Sequence, residues 1–162
     1  MASDVEIQAL LQLLAQALNT TGRTIVTAES CTGGGLAEAL TSVPGSSGWF
    51  ERGFVVYTNT AKREMLDVKA ATLARFGAVS EQTARAMAVG ALRHSHGDLA
   101  AAITGIAGPD GGTPEKPVGT VCLAWATKEL QHATTCHFNG DRQSVRRQSV
   151  IGALQGLLEY AK

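Results

Sequence analysis

Residues 24–34 read Thr24-Ile25-Val26-Thr27-Ala28-Glu29-Ser30-Cys31-Thr32-Gly33-Gly34, a β-branched run that stops abruptly and gives way to small residues. Thr24 to Ala28 has the composition of a buried strand, and residues 33–42 carry the pattern of a helix that must end before Pro44-Gly45. A strand feeding directly into a helix is the building unit of a layered α/β fold. The bend between them gathers unpaired N–H groups and the positive end of the helix dipole, and its glycines let a ligand approach the main chain. Such a bend is expected to hold something anionic or electron-rich.

Working outward, Ile7, Leu10, Leu11, Leu14 and Leu18 share one helical face, with Ser3 and Glu6 spaced as a capping box and Gly22 beyond the end, which predicts a helix over 4–20. Phe54 to Tyr57 reads as a second strand, followed by helices over about 60–67 and 70–76. After Ser80, the residues Ala84, Met87, Ala88, Ala91 and Leu92 line one face of a long helix. Leu99 to Ile103 is a short apolar run. Gly119 to Thr127 and Ala133 to Phe138 form a hairpin whose closeness in sequence predicts antiparallel pairing. From Asp141 onward, Val150, Ile151, Leu154, Leu157 and Leu158 make a closing amphipathic helix. Strands interleaved with helices, plus one hairpin, predict a three-layer α/β/α fold with a mixed sheet. At 162 residues, 44% hydrophobic and 17% charged, the chain has material for one good core and is read as a single domain over 1–162.

Composition narrows the function classes. The formal net charge is zero, so no overall field attracts nucleic acid or an anionic membrane, and neither is expected as a partner. The first residues lack the signature of a signal peptide and no apolar run reaches membrane-spanning length, which predicts a soluble, cytoplasmic protein. Cys31, Cys122 and Cys136 cannot all pair with one another, and reduced thiols fit that compartment. The four histidines do not combine with cysteines or acids in a zinc spacing, so no metal is expected.

Chemistry needs a nucleophile, and the familiar frames are absent. There is no Gly-x4-Gly-Lys-Ser/Thr, no Gly-x-Gly-x-x-Gly after a strand and no Gly-x-Ser-x-Gly elbow. A glycine-rich loop, Thr104-Gly105-Ile106-Ala107-Gly108-Pro109-Asp110-Gly111-Gly112, follows a buried strand, where layered α/β folds bind ligands. Pro-Asp-Gly is equally strong turn chemistry in its own right. Cys31 sits near a helix N-terminus, where a thiol pKa is lowered, yet it reads equally as a small buried hydrophobe. Ser47 is the other candidate, with Tyr57, Asn59 and Lys62 downstream. If Ser46 caps a short helix through about Arg52 and Gly53 permits a reversal, a helix rise of about 9 Å and a returning strand of about 15 Å bring Lys62 back to the serine. Ser46 and Ser47 read just as well as helix caps, and Lys62 as a surface charge.

Six motifs then resemble one family. These are Ala28-Glu29-Ser30-Cys31-Thr32-Gly33-Gly34, Gly45-Ser46-Ser47, Val56-Tyr57-Thr58-Asn59 with Lys62, Gly77-Ala78-Val79-Ser80, Thr104 to Pro109 with Gly111-Gly112, and Lys116-Pro117-Val118-Gly119-Thr120-Val121. Together, in this order, they resemble the C-terminal domain of the competence/damage-inducible family, CinA. Stand-alone members are nicotinamide-nucleotide amidohydrolases, which convert nicotinamide mononucleotide to nicotinic acid mononucleotide and ammonia in pyridine nucleotide salvage. Larger members carry a further N-terminal domain, whose activities are not carried over.

What the resemblance implies is a cofactor-free amidase with a small-molecule nucleotide substrate, and a homo-oligomer as the expected assembly. Ser47 is implied as nucleophile, neutral Lys62 as its general base and Tyr57 as a hydrogen-bonding bridge. A neutral lysine near pH 7 requires a pKa lowered by roughly three units, or about 4 kcal/mol. Ser30, Cys31, Thr32, Gly33, Gly34, Asn59, Thr104 and Gly105 are implied as substrate-binding wall, with the oxyanion met by N–H groups of the Ser46-Ser47 turn or of the 31–34 bend. Arg142, Arg146 and Arg147 oppose the dipole of the last helix, so Arg142 and Arg146, as i, i+4 neighbours, could fork a phosphate or pair with carboxylates. Thr58, Gly35, Cys122 and Leu123 depart from the family's usual residues. A non-catalytic nucleotide-binding module is the competing reading, and only the enzyme needs a nucleophile and a lysine together.

Overall fold

Every residue of the first strand, β1 (Ile25–Glu29), is buried, because it is an interior strand of a sheet covered by helices on both faces. The computed structural model describes residues 2–162. The chain runs α1 (Ala2–Thr21), β1, α2 (Gly35–Thr41), a 3-10 turn (Ser46–Gly48), β2 (Phe50–Val55), α3 (Asn59–Leu66), α4 (Ala70–Phe76), α5 (Glu81–Arg93), β3 (Leu99–Gly105), β4 (Thr120–Ala126), β5 (Gln131–His137) and α6 (Arg142–Ala161). The strand order is β2-β1-β3-β4-β5. β1 is parallel to both neighbours, and β3, β4 and β5 pair antiparallel, giving the mixed sheet expected from the alternation of elements.

Strand alternation divides the core in two. Ile25, Leu99, Ala101, Ile103, Val121, Leu123 and Trp125 face α1, α2 and α6, where Leu11, Leu14, Leu18, Leu36, Leu154 and Leu157 close over them. Val26, Ala28, Ala100, Ala102, Cys122 and Ala124 face Leu66 and Val68 and the α5 residues Ala84, Met87, Ala88 and Ala91. Small strand residues let α5 seat closely. Its Gly90 passes so near the end of α3 that a Cβ there would lie 2.0 Å from the Leu66 carbonyl oxygen.

From β1 the chain moves outward to β2 through α2 on one face, then returns over the other face through α3, α4 and α5 to β3 on the far side of β1. Opposite directions on opposite faces are what two right-handed crossovers require. The connections therefore diverge between β1 and β3, and a crevice opens at their carboxyl ends.

Local chemistry sets the helix starts. Thr58, Ser80 and Asp141 cap α3, α5 and α6 by accepting from the N–H groups of Ala61, Thr83 and Ser144. The expected Ser3–Glu6 capping box is not formed: α1 already begins at Ala2, and Ser3 instead accepts from Arg147 Nε at 2.8 Å while Arg147 pairs with Asp4. Docking of α1 on α6 decides that end. α2 has no capping side chain at Gly34. Its otherwise unpaired first N–H groups are met by Glu29, the last residue of β1, whose carboxylate accepts from Leu36 N at 2.8 Å and Ala37 N at 3.0 Å and also from Thr32 Oγ1 at 2.6 Å. The anion expected at this bend is therefore the chain's own, a glutamate only 1% exposed.

Two stability predictions arise here. All three partners of Glu29 are donors, so Glu29→Gln, although isosteric, turns an NH2 toward one of them and is expected to cost about 1–3 kcal/mol in denaturant unfolding. Thr27 Oγ1 is buried and finds no hydrogen-bond partner among the described residues. Thr27→Val is expected to leave the protein equally stable or stabilise it by about 1 kcal/mol, read as a raised midpoint in the same titration.

Candidate active site

Ser30 is the first residue beyond β1, and its N–H still reaches the Ile103 carbonyl of β3 at 2.9 Å. On the other flank, Val56 N donates to Glu29 O at 2.8 Å, so the chain leaving β2 stays against the end of β1. Thr58 then starts α3, and the first turn of that helix carries Lys62 over the strand ends. Lys62 is 1% exposed. Its Nζ lies 3.0 Å from Ser30 Oγ, 3.1 Å from the Val56 carbonyl oxygen and 3.3 Å from that of Tyr57. All three partners are neutral oxygens.

Electrostatics follow from that seclusion. Burial pulls the Lys62 amine below the usual lysine range, and the neighbouring Cys31 pulls weakly the other way. Burial likewise pushes the Cys31 thiol up to about 11, against smaller opposing effects from its own backbone N–H and from Arg146. Cys31 is therefore a protonated thiol near neutral pH, which argues against it as the nucleophile.

These groups open onto a cavity of about 280 Å³ at the crevice between β1 and β3. Ser30, Cys31, Tyr57, Asn59, Lys62, Thr104, Gly105 and Arg142 all line it. Thr104 Oγ1 also donates to the Ala78 carbonyl at 2.8 Å, tying β3 to the segment before α5. Arg142 spans the rim, donating to Gly108 O at 2.8 Å and to the Tyr57 hydroxyl at 3.1 Å.

Other expectations are corrected. Ser47 is exposed in the turn before β2, whereas Lys62 follows β2, so about 20 Å of strand separates the two ends. The helix expected through Arg52 stops at Gly48, and Phe50–Val55 is strand instead, which removes the reversal that the Ser47–Lys62 pairing needed. Ser30 takes the place beside the lysine. Thr32, Gly33 and Gly34 do not line the cavity: Thr32 binds Glu29, and the glycines, with φ of 59° and 103°, turn the chain into α2. Arg142 and Arg146 do not form one fork. Arg146 donates to the Cys31 and Thr32 carbonyls and lines a separate cleft of about 400 Å³ between α1, α2 and α6.

Ala78, Val79 and Asp110 also line the cavity, without a role in the sequence reading. Asp110 was hidden by the turn chemistry of Pro109-Asp110-Gly111, and Ala78-Val79 carry no reactive group to signal them. No cluster of three or more metal-ligating side chains occurs among the described residues, and no helix of the structure is long and apolar enough to cross a membrane.

The geometry has close counterparts. The chain is 52% identical to the nicotinamide-nucleotide amidohydrolase PncC of Escherichia coli, over 96% of this chain and 94% of that protein. It is 49% identical to the protein of the same name from Pseudomonas putida, over 94% and 96% respectively. The crystal structure of the competence/damage inducible protein CihA from Agrobacterium tumefaciens superposes with a TM-score of 0.92 at 46% identity, covering 97% of this chain and 96% of that one. The family model for the CinA C-terminal domain matches residues 7–161, and the chain accordingly belongs to that family.

Proposed function

We propose that this protein hydrolyses the carboxamide of nicotinamide mononucleotide to nicotinic acid mononucleotide and ammonia, with Ser30 as nucleophile and Lys62 as general base. The observation that carries the reading is the 3.0 Å approach of Lys62 Nζ to Ser30 Oγ in a buried setting without a carboxylate partner. The similarity to amidohydrolases named for nicotinamide nucleotides supplies the substrate.

A neutral amine has two hydrogens and one lone pair. The Val56 and Tyr57 carbonyls accept the hydrogens, which leaves the lone pair for the Ser30 hydroxyl. As Ser30 Oγ attacks the carboxamide carbon, its proton passes to Lys62. The resulting ammonium returns that proton to the nitrogen as the C–N bond breaks, releasing ammonia and leaving an acyl ester on Ser30. Water, giving one proton to Lys62, then attacks the ester; Lys62 passes that proton to Ser30 Oγ as the ester C–O bond breaks, and the nicotinic acid product ionises to solvent. Because the Ser30 N–H is engaged by Ile103, the N–H of Cys31, next along the bend, is assigned to the oxyanion. Arg142, exposed at the rim beside Tyr57, is assigned to the phosphate.

Ammonia release from nicotinamide mononucleotide tests the reading. Ser30→Ala and Lys62→Met are expected to lose about a thousandfold or more in kcat/KM, whereas Ser47→Ala stays within about twofold of wild type. Equal release by wild type and Ser30→Ala would sink the assigned nucleophile. A wild type that binds the nucleotide without turnover would leave the nucleotide-binding module instead.

The pH dependence has a defined sign. Lys62 acts in its neutral form, so kcat/KM is expected to rise with pH through its lowered pKa and then level off. The folded state binds fewer protons there than the unfolded chain, so this lysine's contribution to stability is lost as pH falls through the same value. Lys62→Met is therefore expected to be inactive yet more stable than wild type at pH 6, measured by thermal unfolding.

A further inference from the structure

We propose that Arg146 is a positioning residue for the nucleophile, bracing the backbone of the bend from behind; this rests on Ser30 being the attacking group. Arg146 Nε donates to the Cys31 carbonyl and Nη2 to the Thr32 carbonyl, each at 3.1 Å. A Cβ on Gly33 would lie 3.5 Å from Nη2, so the guanidinium faces the open side of the next residue as well. It approaches from α6 and has no place in the cavity wall.

The opposite side of the bend is held by the opposite charge. Glu29 takes the Thr32 hydroxyl and the first N–H groups of α2, so the carboxylate satisfies donors while the guanidinium satisfies acceptors. Between them the Ser30 carbonyl accepts from Gly33 N at 3.0 Å, closing a tight turn over residues 30–33. Each peptide unit is planar and trans, so fixing a carbonyl fixes the N–H across the same bond. The Ser30 carbonyl drawn into the turn sends the Cys31 N–H the other way. The Thr32 carbonyl held by Arg146 fixes the Gly33 N–H across the same bond, and that N–H is the donor that holds the Ser30 carbonyl, so the Ser30–Cys31 peptide cannot rotate freely. Arg146 thereby orients both the Ser30 side chain and the donor assigned to the oxyanion, without touching either. A planar fork can meet two adjacent carbonyls at once, whereas a lysine meets them less completely.

Steady-state kinetics on nicotinamide mononucleotide and on the phosphate-free riboside, combined with amide hydrogen exchange, test the assignment. For Arg146→Met, kcat is expected to fall about 100-fold on the nucleotide, with KM within about twofold and an unchanged preference for nucleotide over riboside. Arg146→Lys is expected to recover part of kcat and guards against simple misfolding of the methionine variant. Exchange of amides in residues 30–35 is expected to quicken in Arg146→Met while that of β3 is unchanged. A raised KM confined to the nucleotide, with kcat intact, would overturn the proposal in favour of a phosphate ligand. Unaltered exchange over 30–35 would overturn it as well. The exchange arm needs no turnover, so a wild type inert on the nucleotide would sink the amidase reading without obscuring the result for the brace.

Discussion

The Glu29 carboxylate is the interaction on which the site depends. A parallel strand that turns directly into a helix leaves the helix's first N–H groups facing the strand's end, buried away from water. Gly34 offers no side chain to meet them, and the carboxylate of the last strand residue does so from beneath. By also holding the Thr32 hydroxyl, Glu29 fixes a bend that begins one residue later at Ser30. The positive end of α2 is thus neutralised internally and is not left open for a ligand.

The opposite arrangement applies to Lys62. Its amine is buried as deeply as Glu29, but its neighbours are a hydroxyl and two carbonyls, with no carboxylate among its hydrogen-bond partners. A buried amine in such a setting sheds its proton more readily than one in water. The protein keeps one buried ionisable group satisfied by donors and a second one, beside the very next residue, poised for proton transfer. The first serves the fold and the second the chemistry, and the short Glu29-Ser30 step joins them.

Much of the architecture was legible because period and punctuation agreed. The α4 range, the long helices α1 and α6, the α5 face built on Ala84, Met87, Ala88 and Ala91, and the β4–β5 hairpin all follow from them. β2 was only partly legible. It is an edge strand, half exposed, so Phe50-Glu51-Arg52-Gly53 lacks the apolar run of a buried strand, and pairing with β1 makes it a strand. Missing its start turned a strand into a supposed helix and brought Ser47 into a pairing that the chain does not make. Glu29 was visible as a motif residue, but its capping role was not, because its two partners in α2 lie seven and eight residues ahead across a bend rather than at the usual cap spacing.

By itself the sequence determined the elements, their alternation and the family motifs, since propensity, hydrophobic period and glycine positions act over a few neighbouring residues. Lys62, Tyr57, Asn59, Thr104, Gly105 and Arg142, brought to attention alongside Ser47, Thr32 and Arg146, line one cavity, which those three do not. Only the tertiary structure decided which serine meets the lysine. Parallel strands deliver all their carboxyl ends to one edge of the sheet, so Ser30 after β1 and Lys62 after β2 converge, while Ser47 before β2 is carried to the opposite edge. It likewise separated Arg142 from Arg146, because one turn of helix is enough to set one at the mouth of the cavity and the other against the backbone behind it.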